Sequence, residues 1–525
     1  MICSNYRGIS ISDTLAKLLD HMLLRRLQTW CRVDPCQAGA QEKRGCIEQV
    51  FTLRMAVDFA VKKKVKLYLI FIDFRAAYDT VPRRKMIEVL RRNGCGRNML
   101  KIIIALYKST KAVLKSAIII TSIGIKQGAP TSCYLFCLYI NEMVKRIKQA
   151  FQEDGFLGVL HVLLLMDDTV LLATSRERAL AKLLVLVTWC QEYGMLINMK
   201  KTKFMVVNAQ RENKEPLVAG HVTVQYASQY LYLGAWVTDS GRMRDVIQLH
   251  EDHCNAVLNK FSIFCQANTN MPFAIKKMVF ESAVISSIIY SSETWLTDQI
   301  KQIESKYNAM VRLLLGVRPN TSIKLCLIEA GTEPLAHLIR KNRSRFLTKM
   351  FQHVDFDQPF HHMFRICDEH NIPAATFMNN ARRYRAPSQL RNVATEVRNE
   401  QTATKLMHYA EKLNPDLSLH PIYNTNTYIP DYLRVSFSRL RLMSHSLKVE
   451  TGRWSRIPRE LRLCDRCDAQ QLQDEEHVLL TCSATQHIRN RFGMLNFASL
   501  RAVMEERTHL REVAEMVHDA INCFQ

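Results

Sequence analysis

Three aspartates stand where apolar strands would end. Asp73 closes the run VKLYLIFIDF, and Asp167-Asp168 interrupts GVLHVLLLM-DD-TVLLA. Adjacent carboxylates repel and burial raises that cost, so the pair must be solvated or neutralised. On its own, Asp-Asp reads as a plain turn, a role that both residues favour. Asp73 alters the balance, because neighbouring antiparallel strands of a ferredoxin-like sheet would bring all three side chains to one edge. Carboxylate oxygens are hard ligands and suit Mg²⁺, or Mn²⁺, rather than zinc. Two such ions bridged by aspartates would serve in-line phosphoryl transfer.

A second constellation, Cys464-x2-Cys467-x9-His477-x4-Cys482, offers soft and borderline ligands at a spacing that can close a tetrahedron around Zn²⁺. In a reducing compartment its thiolates stay available, and the metal would supply folding energy that so short a segment lacks. Arg453, Arg456, Arg459 and Arg462 beside it suggest a nucleic-acid face. The set His361-His362, Cys367 and His370 is irregularly spaced and reads as surface. Cys137, Cys190 and Cys265 read as small buried thiols.

These residues need elements to place them. Apolar spacing predicts a helix over Thr14–Arg26, then a basic Gly-rich loop near Gln41–Gly45 and the strand ending at Asp73. A helix over Arg83–Arg92 stops at Asn93-Gly94, and residues 112–126 alternate like a hairpin. Gly128-Ala129-Pro130 opens a helix to about Ala150, and two strands follow, joined at the acidic turn. A helix over Glu177–Tyr193 and strands near Met195–Ile197 and Phe204–Val207 complete a split βαβ pattern, with helices on one face of an antiparallel sheet. From Gly241 to about Arg345 the pattern is mostly helical. Prolines at 359, 373, 387 and 415 break up residues 346–450.

The motifs along this frame resemble those of reverse transcriptases. FIDFRAAYDTV (71–81), GIKQGAPTSCYLF (124–136), LMDDTVLLA (165–173) and GMLINMKKTKF (194–204) come in palm order. NYRGISISDTLAKLLDHMLLRRL (5–27) and QAGAQEKRGCIEQVFTLR (37–54) are similar to fingers motifs, and YLYLGAWVT (230–238) to the lead into the thumb. The likeness is to non-LTR (LINE-type) retrotransposon enzymes, whose zinc-binding segment RELRLCDRCDAQQLQDEEHVLLTC also resembles. It implies an α+β right-hand polymerase: partial fingers over 1–64, a ferredoxin-like palm over 65–240, a helical thumb over 241–345, an α-rich basic region over 346–455 and a CCHC zinc knuckle within 456–495.

The resemblance makes Asp73, Asp167 and Asp168 the catalytic Mg²⁺ ligands and Tyr78 the aromatic gate against a 2′-hydroxyl. It sets Gln127 and Gly128 on template and nucleotide, and Lys201 near the departing pyrophosphate. The implied reaction is RNA-directed DNA synthesis, with an RNA template, a DNA primer or target, and dNTP as partners. Departures are Leu165 for an aromatic residue, Thr131-Ser132-Cys133 for Leu-Ser-Pro, and Ala40-Gln41 for Phe-Arg. The chain begins inside the fingers motif, so either a copy truncated at the N-terminus, without an endonuclease domain, or a reading frame assigned too late a start is expected.

Composition agrees with a polyanionic partner. The 525 residues suggest about three or four structural units, and 48% hydrophobic with 23% charged residues excludes wholesale disorder. An excess of 72 Lys+Arg over 49 Asp+Glu, +23 net, suits phosphate contact. The arginine clusters at 340–345, 382–385 and 439–441 join that reading. Sixteen cysteines are too sparse for a disulfide scaffold, and neither a signal pattern nor a membrane span is legible. We therefore expect a soluble intracellular chain, nuclear or cytoplasmic, with no membrane association and no obligate protein partner. The rival is a catalytically decayed or co-opted remnant that binds nucleic acid without polymerising. An intron maturase is a third reading, against which the Cys/His segment argues.

Overall fold

The computed structural model describes residues 10–524 apart from 12, 109, 115–116, 210–213, 353, 385–388, 400–403 and 425–427. The start of the 5–27 motif, Arg385 and Pro387 thus lie outside the described residues. The chain divides into two compact units, fewer than its length suggests: 1–246 with 291–296 and 343–383, and 247–290 with 297–342 and 384–525.

In the first unit, α1 (Thr14–Trp30) and α2 (Cys46–Lys63) precede β1 (Leu67–Ile72), after which come α3 (Ala77–Thr80), α4 (Arg83–Arg92) and α5 (Arg97–Lys108). The hairpin β2 (Thr110–Leu114) and β3 (Ala117–Thr121) leads to α6 (Pro130–Ala150), β4 (Val162–Leu165), β5 (Asp168–Ala173) and α7 (Arg176–Tyr193). Next come β6 (Lys203–Val207), β7 (Leu217–Ala219), β8 (Val222–Tyr226), β9 (Gln229–Tyr232) and β10 (Ala235–Thr238). The main sheet runs β4-β5-β1-β6-β8-β7. Its pairs are antiparallel except β6 with β8, which makes it mixed rather than purely antiparallel.

All six residues of β1 are buried, so this central strand needs cover on both sides. Tyr68, Ile70 and Ile72 join a core with residues of α4 to α7, among them Leu135, Leu138 and Leu186. Leu67, Leu69 and Phe71 face the opposite core, built from α2 and the helices Pro359–Glu369 and Pro373–Ala381. The expectation of helices on one face is corrected by this second layer. It comes from far along the chain, and its prolines are helix starts rather than breaks, because proline at the first turn forfeits no hydrogen bond.

Two further expectations change. Met195–Ile197 forms a single bridge, Phe74 to Ile197, instead of a strand. His361 and His362 are buried: His362 Nε2 sits 2.9 Å from the Leu157 carbonyl, and His370 meets Phe59 edge-on. Aromatic neighbours hold His361, and the Leu157 carbonyl holds His362, in the second core, so these two are not surface groups, whereas His370 stays exposed as expected. Cys137 and Cys190 are buried as expected, while Cys265 is half-exposed.

The second unit is helical, including Lys301–Leu315, Ile323–Ala330, Asp431–Arg441 and Leu510–Asn522. Its interior holds an ionic network. Arg441 donates from Nε to Glu329 Oε1 at 2.6 Å and from Nη1 to the Leu413 carbonyl at 2.6 Å, and the Tyr409 hydroxyl donates to Glu329 Oε2. Arg441 is therefore buried structure, not a phosphate contact, as is Arg343 of the first unit, whose guanidinium lies over Phe377. Among the described residues no helix is long and apolar enough to cross a membrane.

Candidate active site

Strand pairing brings the three aspartates together. β1 and β5 are antiparallel, with Phe71 opposite Val170 and Ile72 opposite Thr169. One further step of that register sets Asp73 opposite Asp168, where facing Cα atoms lie about 4.5–5.5 Å apart. Asp167 is the second residue of the two-residue turn that joins β4 to β5, since Leu165 pairs with Asp168. Asp168 is exposed, and Asp73 and Asp167 are half-buried, so the cluster opens to solvent.

Asp73 is positioned by a segment the sequence reading undervalued. The Asn198 side-chain amide donates to Asp73 Oδ2 at 2.7 Å, and the Asn198 N–H donates to the Asp73 carbonyl at 2.8 Å. Thr202 Oγ1 accepts from the Asp73 N–H at 3.2 Å. Lys201 Nζ stands 3.8 Å from Asp73 Oδ1 on a side chain that is 67% exposed. Asn198 lies within the quoted GMLINMKKTKF motif, which was the available signal. Tyr230, in YLYLGAWVT, was missed likewise. Its ring stacks on Phe71 at 4.2 Å, and burial, then the charges of Asp73 and Asp168, push its phenol up to about 12.

Tyr78, on α3, stacks on Phe136 at 4.6 Å, with its hydroxyl 3.8 Å from Met166 Sδ. Burial, then Cys133, Cys137 and Asp167, holds that phenol well above its ordinary value. Gln127 and Gly128 form the turn before α6; the Gln127 carbonyl accepts from the Ser10 N–H at 2.6 Å, and Gly128 has φ +104°. Asp20 of α1 fixes the start of α6 by accepting from the Thr131 N–H at 2.9 Å and its hydroxyl at 2.8 Å. Leu165, at the end of β4, is half-exposed beside the turn. Gln41, at the fingers departure, donates its amide to the Gln37 and Asp34 carbonyls, closing its own loop.

The donor set at the sheet edge is three carboxylates, the chemistry of a hard divalent cation. Asn198 holds Asp73 Oδ2, and Lys201 Nζ is 3.8 Å from Oδ1. By donor chemistry these residues suit such an ion.

In the second unit Cys464, Cys467, His477 and Cys482 place their ligand atoms within 4.8 Å of one another. The two sulfurs of Cys464 and Cys482 are 3.9 Å apart, and Cys467 Sγ is 3.3 Å from His477 Nε2. Those spans match the edges of a tetrahedron with Zn–S of about 2.3 Å and Zn–N of about 2.0 Å. A bridge between Leu463 and Leu472 and the Cys464 N–H to Gln471 carbonyl bond form the knuckle. His477 Nδ1 lies 2.8 Å from Gln471 Oε1, which directs Nε2 at the sulfurs. Burial also lowers the His477 pKa. Of the nearby arginines, Arg453, Arg456 and Arg459 are exposed, but Arg462 donates to the Ile457 and Val449 carbonyls and is structural.

Residues 3–237 match the family described as reverse transcriptase (RNA-dependent DNA polymerase). The chain is 26% identical over 265 residues to the Pol polyprotein of the type-1 retrotransposable element R2 of Nasonia vitripennis, covering 47% of this chain and 26% of that protein. To the Pol polyprotein of element R2DM of Drosophila melanogaster it is 21% identical over 254 residues, 46% of this chain and 24% of the relative. It thus spans about a quarter of the length of the curated relatives it matches. A telomerase from Candida albicans, solved with a fragment of telomeric RNA, aligns with TM-score 0.33 and 9% identity over 71% of this chain and 57% of that one.

Proposed function

We propose that the chain is an RNA-directed DNA polymerase of the non-LTR retrotransposon kind, a reading supported by the match of residues 3–237 to the reverse transcriptase family and by the R2 relatives. Its α+β fold is that of a right-hand polymerase. The reaction extends the 3′-hydroxyl of a DNA primer with dNTP on an RNA template and releases pyrophosphate. The observation that carries this reading is the register that sets Asp73 beside Asp168, with Asp167 at the adjoining turn.

Asp73, Asp167 and Asp168 would hold Mg²⁺ or Mn²⁺. Two bound ions supply Lewis acidity to the attacking hydroxyl and to the leaving oxygen. Tyr78 offers a ring under the incoming sugar, packed on Phe136 so that it cannot retreat. Gln127 and Gly128 present the turn toward template and nucleotide. Lys201, exposed beside Asp73, would screen the departing pyrophosphate. Fingers over 1–64, palm over 65–240 and thumb over 241–345 complete the assignment, with a basic region over 346–455. Cys464, Cys467, His477 and Cys482 would hold structural Zn²⁺ within 456–495. A retroelement enzyme of this kind works in the cytoplasm or nucleus, without membrane association.

Leu165 favours a second reading, a decayed or co-opted remnant, because it lacks the ring and hydroxyl that would seat a primer end. The test is primer extension on a homopolymer RNA with Mg²⁺ or Mn²⁺, comparing the protein with Asp167→Asn. Extension lost in the variant supports the polymerase. Folded protein that binds RNA in a salt-sensitive manner, yet extends nothing, would establish the remnant.

A further inference from the structure

Gln37 is 0% exposed and spends its side-chain amide on one residue of the acidic turn. Its Oε1 accepts from the Met166 N–H at 2.8 Å, and its Nε2 donates to the Met166 carbonyl at 3.0 Å. The same Oε1 accepts from the Gly39 N–H at 2.8 Å. Met166 has φ +57°, a left-handed conformation that methionine rarely adopts. Its carbonyl belongs to the peptide plane from which Asp167 hangs, so the Nε2 donor sets the direction in which that carboxylate points.

The frame around Gln37 is rigid. The Ala38 N–H donates to the Leu164 carbonyl at 2.9 Å, and the Leu164 N–H donates to the Cys36 carbonyl at 3.0 Å, which lays 36–38 along β4 like an added strand. The buried Gln49 amide donates to both of those carbonyls at 3.0 Å. At Gly39 a Cβ would lie 2.7 Å from Met166 Sδ and 2.9 Å from the Met166 nitrogen, so a side chain there would displace the turn.

We propose that Gln37 is a positioning residue for the polymerase: it clamps Met166 in the left-handed turn and thereby aims Asp167. The proposal rests on the polymerase reading above. Gln37→Met keeps the length and apolar volume while removing both halves of the clamp. In primer extension with dTTP on oligo(dT)·poly(rA), kcat per folded molecule is expected to fall at least about tenfold, since ångström-scale misplacement has that effect. KM for dTTP and Kd for the primer–template should stay within about twofold, because a positioning group affects the chemical step rather than binding. Hydrogen exchange gives a readout independent of activity, with the Met166 and Gly39 amides losing protection in the variant while β1 and β5 keep theirs.

Should Gln37→Met not fold, Gln37→Asn, one methylene too short to reach both groups, is judged by the same criteria. An active wild-type protein whose variant keeps kcat, or loses activity only through a raised KM, overturns the clamp. Unchanged exchange at Met166 overturns it too. A folded wild-type protein without extension overturns the polymerase reading itself, and the positioning role with it.

Discussion

On the polymerase reading proposed above, removing the Asn198 side chain should raise the metal requirement of primer extension without dismantling the fold. In Asn198→Ala the 2.7 Å bond to Asp73 Oδ2 is lost, while the Asn198 N–H to Asp73 carbonyl bond and the Arg75 N–H to Leu196 carbonyl bond are untouched. The backbone of both segments therefore keeps its course. What changes is the carboxylate, which can rotate toward the Lys201 ammonium, 3.8 Å from its other oxygen. A hydrogen bond to a charged group is worth about 1.5–3 kcal/mol. Asp73 is 26% exposed at the side chain, so water replaces part of it and the lower end applies. About 1.5 kcal/mol corresponds to roughly tenfold in affinity, the size expected when a group that orients a metal ligand is removed. The assay is primer extension across a Mg²⁺ titration, with the half-saturating concentration expected to rise about tenfold and the melting temperature to stay close to the wild-type value. A half-saturating Mg²⁺ concentration within twofold of the wild type would refute the reasoning, because Asp73 would then hold its geometry unaided.

Two other outcomes follow from groups outside the sheet edge. Cys464→Ser should lose one equivalent of bound zinc by elemental analysis and expose 456–495 to proteolysis, since binding supplies the folding energy of so small a module, about 10 kcal/mol or more; protein isolated without zinc in either form would contradict this. His161, 1% exposed at the foot of β4, has no well-aligned hydrogen bond at either ring nitrogen, and burial, then the Lys182 charge, pushes its pKa down to about 4 from 6.5. The unfolded chain therefore gains a proton that the folded one refuses, so stability falls as pH drops from 6.5 towards 4, by up to about 3 kcal/mol. His161→Phe should flatten that part of the Tm–pH profile, and an unchanged slope would assign it to other groups.

The acidic edge of the sheet was legible because each of its signals is local. An apolar run that ends in aspartate, and an acidic pair between two apolar runs, need no knowledge of the rest of the chain to be read as strand ends. The helix starts at Pro130 and Arg176 were legible for the same reason, since a capping residue or a proline lies within a few positions of each. The second helical layer was not, because its signal is the two-sided burial of β1, and nothing near β1 says which segment supplies the cover.

The residues that were missed share a physical cause. Gln37 acts on Met166 across 129 positions, Asn198 on Asp73 across 125, and Arg441 on Glu329 across 112. Polar and charged side chains are read as solvated by default, since burial without a partner is prohibitive. A distant partner reverses that default and leaves no periodicity behind. It also reverses the meaning of the arginine clusters. Basic residues counted toward phosphate binding include Arg343, Arg441 and Arg462, whose guanidinium groups are already engaged by aromatic, carboxylate or carbonyl neighbours. The exposed remainder, such as Arg453, Arg456 and Arg459, is what stays available to a polyanion, and a count of basic residues overstates that surface by every arginine the fold has taken inside.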